Sequence, residues 1–374
     1  MKPPVSTLFS LIVFFLLFPP GNVHSQSKLD VGGYLQTWYI YQKQDVLYTS
    51  MGNLPVLNVQ RQETAGFRIR RARLTAKGSL NETFSISSWV ELATETPSLL
   101  DFYVDAEISK TFTVRAGQIM MPGQSYDTSR RFSSKLPFFE RPSITTKSSS
   151  LMGYNAFRDI GLMAYGQVGK LWYGVQISNG LGRFQQAGSS FSERDFGSGL
   201  YGGRIDVEVA KGLELGGHIS TNQQRNLIQN GSEPLDINRT SWSLRASLDD
   251  LLIPRFFAQA ELIHFKAKDD NWGIAADPEH QYKLSGFYLE TGYRITQNWH
   301  VLGRYDEMNE EPDQSLVSAT KLYSNQYTFG ITRFIRDDQK EISRIHLNYS
   351  FGESGPMNLG ESILVLVLQV KFIP

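Results

Sequence analysis

The sequence predicts an all-β protein, a transmembrane antiparallel β-barrel of about 16 strands preceded by a signal peptide. Three observations point to this fold class: a short apolar leader, repeated alternation of apolar and polar residues, and the lack of a later apolar run long enough for a helical span. A spanning helix needs about 20 apolar residues, whereas a barrel strand needs only about ten residues in alternation. The mean hydropathy of −0.28 fits a barrel, which places its apolar residues on one face only.

Residues 1–25 have the organisation of a secretory signal peptide. Lys2 gives a positive start, residues 8–18 are apolar, and residues 23–25 offer a cleavage site. The apolar run is too short for a membrane span, and glutamine rather than cysteine follows the proposed cut, which excludes a lipoprotein anchor. An uncleaved anchor is the alternative. We therefore expect residues 26–374 to form one outer-membrane barrel domain, exported to the outer membrane of a Gram-negative-type cell.

The charge balance and the lack of cysteine exclude several classes of function. The 37 Lys and Arg residues balance 37 Asp and Glu residues, so the basic excess that is typical of nucleic-acid binders is missing. The chain contains no cysteine, which excludes a disulfide framework, a zinc–thiolate site and a thiol nucleophile. His, Asp and Glu show no metal-ligand spacing, so we expect neither a metal nor another cofactor.

Alternation is clearest between residues 344 and 351. Ile345, Leu347, Tyr349 and Phe351 occupy the odd positions, and the even positions are polar. A strand places these two sets on opposite faces, one suited to lipid and the other to water. A soluble β-sandwich also alternates, but it seldom contains this many strands. The same pattern recurs at residues 84–92, 204–209, 241–248, 287–295, 299–306 and 364–372.

The spacing of the alternating segments gives the strand number. A repeat of about 10 to 14 residues accommodates about 16 strands, give or take two, after the leader. The longer intervals are predicted to be loops, at residues 47–63, 122–156, 185–198, 223–239, 269–281 and 307–322.

Several short motifs along the chain resemble those of the phosphate-selective porin O and P family. They are FRIRRARL at residues 67–74 followed by Gly78, VDA at 104–106, VRAGQ at 114–118 followed by Pro122, FFERPS at 138–143, RDIG at 158–161, NG at 179–180 and RYD at 304–306. The resemblance implies a 16-stranded, homotrimeric outer-membrane porin with an arginine-lined pore that selects anions. The chain departs from the common aromatic ending of such barrels, because Ile373 and Pro374 follow the last aromatic residue.

The arginine-rich segment at residues 67–77 is the most informative for function. Its apolar residues change parity near Arg70, and one extra residue there, a β-bulge, would reconcile the two halves. Without the bulge an arginine would face lipid, which costs about 2–4 kcal/mol at the midplane. A water-facing row of guanidinium groups attracts anions and offers bidentate contacts to phosphate or carboxylate. A basic strand end at the membrane rim is the alternative. The predicted pore-lining residues are Arg68, Arg70, Arg71, Arg73, Lys77 and Arg115.

The segment at residues 122–156 is the second candidate element. A stretch of more than about 15 residues without secondary structure is usually functional. We expect it to fold inward as a constriction loop that favours anions, with an ordinary external loop as the alternative. Its cationic residues are Arg130, Arg131, Lys135, Arg141 and Lys147, against the acids Asp127 and Glu140.

The predicted water-facing positions also carry acids, which we expect to pair with arginines on neighbouring strands. The acids are Asp105, Glu107, Asp206, Glu208, Glu214, Glu261, Glu290 and Asp306, and the opposing arginines are Arg115, Arg204, Arg245, Arg294, Arg304 and Arg344.

The sequence therefore predicts a passive, water-filled channel that contacts outer-membrane lipid and passes small anionic solutes. A surface-binding barrel without an open channel is the alternative. A barrel enzyme would need a Ser–His pair oriented by a third polar group. His218 and His346 fall on water-facing positions, but no local serine motif accompanies them, so an enzyme is not expected.

Overall fold

Sixteen antiparallel strands close into a barrel in the computed structural model of the chain. The predicted signal peptide lies outside the described residues, as does most of the predicted constriction loop before residue 138. The structure describes residues 29–49, 57–94, 96–121, 138, 140–153, 157–182, 197–227, 235–268, 282–311, 322–337, 340–355 and 359–372.

Every strand pairs with its neighbour in sequence, and the first strand closes the barrel against the last. The strands are β1 (Leu29–Thr49), β2 (Leu57–Ser79), β3 (Phe84–Glu91), β4 (Ser98–Ser109), β5 (Phe112–Met120), β6 (Arg158–Val168), β7 (Leu171–Ser178), β8 (Gly199–Ala210), β9 (Leu213–Leu227), β10 (Leu235–Asp249), β11 (Phe256–Ala267), β12 (Tyr282–Arg294), β13 (Trp299–Glu311), β14 (Leu322–Asp337), β15 (Lys340–Ser354) and β16 (Leu359–Phe372). The predicted antiparallel all-β barrel and its strand number are confirmed, whereas the signal peptide stays a prediction.

Three of the predicted loops were too long. The pairing of β1 with β2 continues to Thr49 and Leu57, so the predicted loop at residues 47–63 is mostly strand. Strands β9, β10 and β13 likewise extend into the loops predicted at residues 223–239 and 307–322. These strand ends are mostly polar in sequence, so alternation of apolar and polar residues did not reveal them. Their backbone ladders continue beyond the roughly ten residues that cross a membrane.

The two ends of the barrel differ. Turns of a few residues join the strands at one end, whereas the segments between β5 and β6 and between β7 and β8 at the other end are long. Bacterial barrels have short periplasmic turns and longer extracellular loops, so the long connections mark the outer side. The chain therefore begins and ends its strands at the periplasmic end, at Leu29 and Phe372.

The outward face carries an apolar band with aromatic residues toward its outer end. Phe67 and Ile69 are exposed on this face, as expected for side chains that contact lipid. The rings of Tyr305, Tyr327 and Phe351 lie side by side, with centroid distances of 4.9 and 5.5 Å between neighbours. They form part of an interfacial aromatic girdle.

The interior of the barrel is partly filled. Helix α1 (Ser143–Leu151) lies inside and contacts β11, β12 and β13. Within the described part of the chain, no helix is long and apolar enough to span a membrane. Ile144 of α1 packs in a buried cluster with Ile263, Phe265 and Leu284 of the wall. A cavity among the described residues lies next to β2.

Candidate functional site

The β-bulge predicted near Arg70 is present. Arg71 is paired with Gln36 of β1, Ile69 is paired with the next residue, Thr37, and Arg70 between them has no partner. The extra residue reverses the alternation, so the apolar side chains on both sides of the bulge point outward and the cationic side chains point inward. The bulge and the facing of this segment are thereby confirmed.

Three arginines follow one another around the bulge inside the barrel. The guanidinium carbons of Arg68 and Arg70 lie 5.1 and 5.6 Å from the ring centroid of Trp38, a buried lumen residue of β1. Cation–π contacts of this kind hold a guanidinium without neutralising it. Arg71 is only 6% exposed and makes no ion pair with any described residue. Lys77 lies nearer the periplasmic end of β2, on the same inward face, and is paired with Asp30 of β1.

Arg73 differs from these three because its charge is matched. Its Nε lies 2.8 Å from a carboxylate oxygen of Glu91 on β3, and its Nη1 donates to the hydroxyl of Tyr34 at 2.8 Å. The other Glu91 oxygen accepts the backbone N–H groups of Ala72 and Ala93. The Glu91 carboxylate is therefore held by both backbone and side-chain donors. Its charge screens the periplasmic end of the arginine row.

A cavity of about 520 Å³ opens beside this row. We call it the basic cavity. Its lining includes six arginines and two carboxylates, so positive charge predominates on its surface. The charged lining residues are Arg68, Arg70, Arg71, Arg73, Arg141, Arg158, Glu91 and Glu140, and Trp38, Thr146 and Phe157 are among the others.

The described part of the predicted constriction loop lies inside the barrel, as expected. Phe138 is buried against Gly330 and stands edge-on to His346, with ring centroids 5.9 Å apart. The Glu140 carboxylate accepts from Asn348 at 3.0 Å, and its carbonyl accepts from Arg304 at 2.7 Å. These contacts attach the loop to β13, β14 and β15.

The rest of the described loop is attached to β13 and to β9. The Lys147 ammonium lies 3.2 Å from Glu310, and the carbonyl of Met152 accepts from Asn222 of β9 at 2.8 Å. Lys147 is therefore an anchor on the wall, whereas Arg141 lines the basic cavity, with its guanidinium 4.1 Å from the ring centroid of Phe157. The other predicted loop cations, Arg130, Arg131 and Lys135, lie outside the described residues.

The neutralising pairs predicted between neighbouring strands of the lumen wall are present in part, and Arg294 pairs instead with Asp249 and Asp250 at the end of β10. Arg115 makes two contacts with Asp105, of 2.6 and 2.8 Å, and its guanidinium carbon lies 3.9 Å from the ring centroid of Tyr103. Its charge is thus balanced locally, unlike that of Arg71. Further pairs on the wall join Arg204 and Arg245 to Asp206, and Arg304 to Asp306 and Glu290.

The lumen histidines belong to the packed wall. His218 Nδ1 lies 2.7 Å from the hydroxyl of Ser243, and that hydroxyl donates to Glu261. A catalytic triad requires the acid to orient the histidine, but here the acid binds the serine instead. His346 is buried and hydrogen-bonded to Thr332 at 2.7 Å. Among the described residues, no group of His, Asp and Glu could hold a metal ion.

Sequence reasoning did not identify three contributors to the site. Trp38 lies under two arginines, Glu91 neutralises a third, and Arg158 binds Asp101 through two 2.8 Å contacts at the cavity wall. Arg158 belongs to the RDIG motif at residues 158–161, so the sequence did contain a signal that could have identified it. The roles of Trp38 and Glu91 depend on which strands are adjacent and in which register, and a single sequence does not provide that information.

The model of one protein family matches residues 48–354, well over half of the chain, and its description is phosphate-selective porin O and P. The chain belongs to this family. The protein is therefore a porin of the outer membrane, and its membership indicates a channel rather than an enzyme. No curated protein sequence matches the porin.

Solved outer-membrane barrels share its architecture. An anion-selective porin from Comamonas acidovorans is 13% identical, with a TM-score of 0.64, and the match covers 93% of this chain and 100% of that one. The channel DcaP of Acinetobacter baumannii is 10% identical, with a TM-score of 0.64 and coverage of 95% and 100%. OmpT of Vibrio cholerae in its trimer form is 8% identical, with a TM-score of 0.59 and coverage of 92% and 100%. At these identities the likeness shows the fold.

Proposed function

We propose that this porin is a passive channel that prefers small anions of the phosphate type, with the basic cavity as its selective region. The observation that carries the proposal is Arg71, a buried guanidinium that has no ion-pair partner among the described residues. A buried charge without a partner is unfavourable, so an anion that reaches Arg71 recovers part of its desolvation penalty. A cation in the same place adds repulsion.

The neighbours of Arg71 support the same preference. Arg68 and Arg70 are held by Trp38 and keep their charge available, and Arg141 faces the cavity from the loop. Guanidinium groups are planar and offer paired N–H donors, which match the oxygen pairs of phosphate and carboxylate. Several guanidinium groups around a narrow space can replace the water that a small oxyanion loses on passing.

Three acids elsewhere on the wall are neutralised locally. Asp105, Asp206 and Asp306 each accept from an arginine, so these acids contribute little net potential. Glu140, which lines the cavity, is directed to Asn348 by a 3.0 Å hydrogen bond. Positive charge without an ion-pair partner among the described residues therefore lies on β2, at Arg68, Arg70 and Arg71.

Two further parts of the proposal concern export and assembly. Residues 1–25 have the composition of a cleavable leader, which supports export across the inner membrane. Family membership and the fold shared with a trimer form of OmpT support a homotrimer. Sizing by light scattering in detergent and N-terminal sequencing of the mature protein test these two parts.

Reversal potentials in a potassium chloride gradient across a planar bilayer test the channel. We expect the parent to prefer chloride, and Arg71→Gln to reduce that preference. Inorganic phosphate added to one side should block chloride current in the parent more strongly than in Arg71→Gln. Cation preference in the parent would contradict the proposal, and a purified barrel that carries no current would favour the surface-binding alternative.

A further inference from the structure

A second polar recess lies on the outside of the barrel, away from the basic cavity. We call it the outer cleft. It has a volume of about 390 Å³ and lies at the outer ends of β1, β2, β14, β15 and β16. Its charged lining residues are Lys43, Arg61, Glu353 and Glu361, and Asn325, Tyr327 and Phe351 are among the others. We propose that the outer cleft binds the phosphorylated sugar headgroup of a glycolipid in the outer leaflet.

The strand register places the outer cleft at the edge of the apolar band. The pairing of β1, β16, β15 and β14 brings four residues into one row across the barrel wall, which are Lys43, Ser362, Phe351 and Tyr327. The row two residues closer to the periplasm is apolar and aromatic, with members such as Leu364. The row on the other side is charged and polar. The cleft is therefore at the level where hydrocarbon gives way to headgroups, within reach of outer-leaflet lipid.

Small residues on β16 create the recess. Gly360 and Ser362 separate the cationic wall formed by β1 and β2 from the aromatic wall formed by β14 and β15. The backbone N–H of Gly360 donates to Asp45 at 3.1 Å, which keeps the strand close against β1. Larger side chains at these two positions would fill the groove.

The wall formed by β1 and β2 presents two cations, each beside a carboxylate. The Lys43 ammonium lies 2.8 Å from Glu63, and the Arg61 Nε lies 3.2 Å from Asp45. Arg61 is 65% exposed, so it keeps free N–H donors on the open side. Exposed ion pairs contribute little stability, so a phosphate can share both cations without a large cost. Two cations on adjacent strands can contact two phosphate oxygens together.

The opposite wall is suited to a sugar ring. Tyr327 and Phe351 present stacked rings, at 5.5 Å between centroids, over which a pyranose ring or the start of an acyl chain can pack. Glu353 and Asn325 lie opposite each other at the rim and offer an acceptor and a donor for sugar hydroxyl groups. A bare phosphate uses only the cationic wall, whereas a phosphorylated sugar uses both.

Native mass spectrometry of the full-length barrel in non-ionic detergent tests the proposal. The probes are bis-phosphorylated lipid A, its dephosphorylated form, phosphatidylglycerol and inorganic phosphate. We expect the parent to prefer bis-phosphorylated lipid A. The double variant Lys43→Gln with Arg61→Gln should weaken that binding about tenfold, because two charge-assisted contacts are lost.

The matched control is Lys266→Gln with Lys283→Gln, a cross-strand pair of outward cations at the same end of the barrel. Equal loss in both double variants would show general surface attraction and overturn the proposal. So would equal binding of phosphatidylglycerol, displacement by inorganic phosphate at similar concentration, or cross-linking that shows a second copy of the chain in the cleft. The reversal potential should stay unchanged in both variants, which separates this test from that of the channel.

Discussion

Arg71 on β2 lies opposite Gln36 on β1, and the residue before it, Arg70, has no partner on β1. This single unpaired residue decides which face of β2 carries the arginines. Below the bulge Arg73 and Lys77 face the lumen, and above it Arg68 does so too. The cationic row and the lipid-facing apolar row of β2 therefore depend on one backbone irregularity.

Deletion of Arg70 should impair barrel assembly. Without the extra residue, only one half of β2 can keep its side chains on the correct faces. Either Arg68 turns to lipid, or Phe67 and Ile69 stay outward and the residues from Arg71 onward turn to the wrong face. Each arginine that turns to lipid costs about 2–4 kcal/mol near the midplane. The folded fraction, measured by heat-modifiable migration in gels, should fall sharply.

Arg70→Gly is the control for this deletion. It removes the same side chain and retains the extra backbone residue, so the bulge and the register can persist. The folded fraction of Arg70→Gly should stay near that of the parent. Equal assembly of the deletion variant and Arg70→Gly would show that the bulge does not set the register.

Arg71 should contribute more to anion preference than Arg115, although both arginines line the lumen. Arg71→Gln removes an unmatched charge, whereas Arg115→Gln combined with Asp105→Asn removes a neutral pair. We expect the first change to lower the anion-to-cation permeability ratio about threefold or more and the second to leave it nearly unchanged. Reversal potentials in a salt gradient measure both. A larger effect of the neutral pair would contradict this assignment of charge.

Glu91→Gln should strengthen the anion preference. Glu91 neutralises Arg73, and its amide counterpart can still accept a backbone N–H through the remaining oxygen. Loss of one negative charge next to the basic cavity should raise the permeability ratio about twofold or more. Glu307→Gln, which changes an outward carboxylate hydrogen-bonded to Tyr305, is the control and should have no effect. An unchanged ratio in Glu91→Gln would mean that Arg73 is not part of the ion path.

Much of the fold could be predicted from the sequence because lipid and water impose a strict period of two. Ile345, Leu347, Tyr349 and Phe351 alternate with polar residues, and the structure places these four at the outer surface. The same reasoning located the bulge, since the change of parity near Arg70 has few other physical solutions. Alternation failed where strands leave the membrane, as at residues 60–63, because both faces are polar there.

The site could be predicted only in part. The arginine row was visible in the sequence because its members are close together along one strand. The residues that moderate the charge of this row were not visible in the sequence. Trp38 and Glu91 lie on adjacent strands, and they reach the arginines only because of the strand register. The attachment of the loop was also invisible, since its anchors on β9 and β13 to β15 are distant in sequence.

Gly330 makes room for the constriction loop, and Gly330→Val should therefore enlarge the channel. A Cβ atom at this position would lie 3.0 Å from a ring carbon of Phe138, so a branched side chain must displace that ring. Overpacking of this kind costs about 1–3 kcal/mol, which is enough to release an attachment made by a few hydrogen bonds. Glu140 would then lose its contacts with Asn348 and Arg304, and the single-channel conductance should rise while anion preference falls. Gly303→Val on the neighbouring strand is the control, because the nearest atom to its Cβ is 3.4 Å away. A conductance that stays the same in Gly330→Val, in a barrel that still folds, would show that Phe138 does not hold the loop in place.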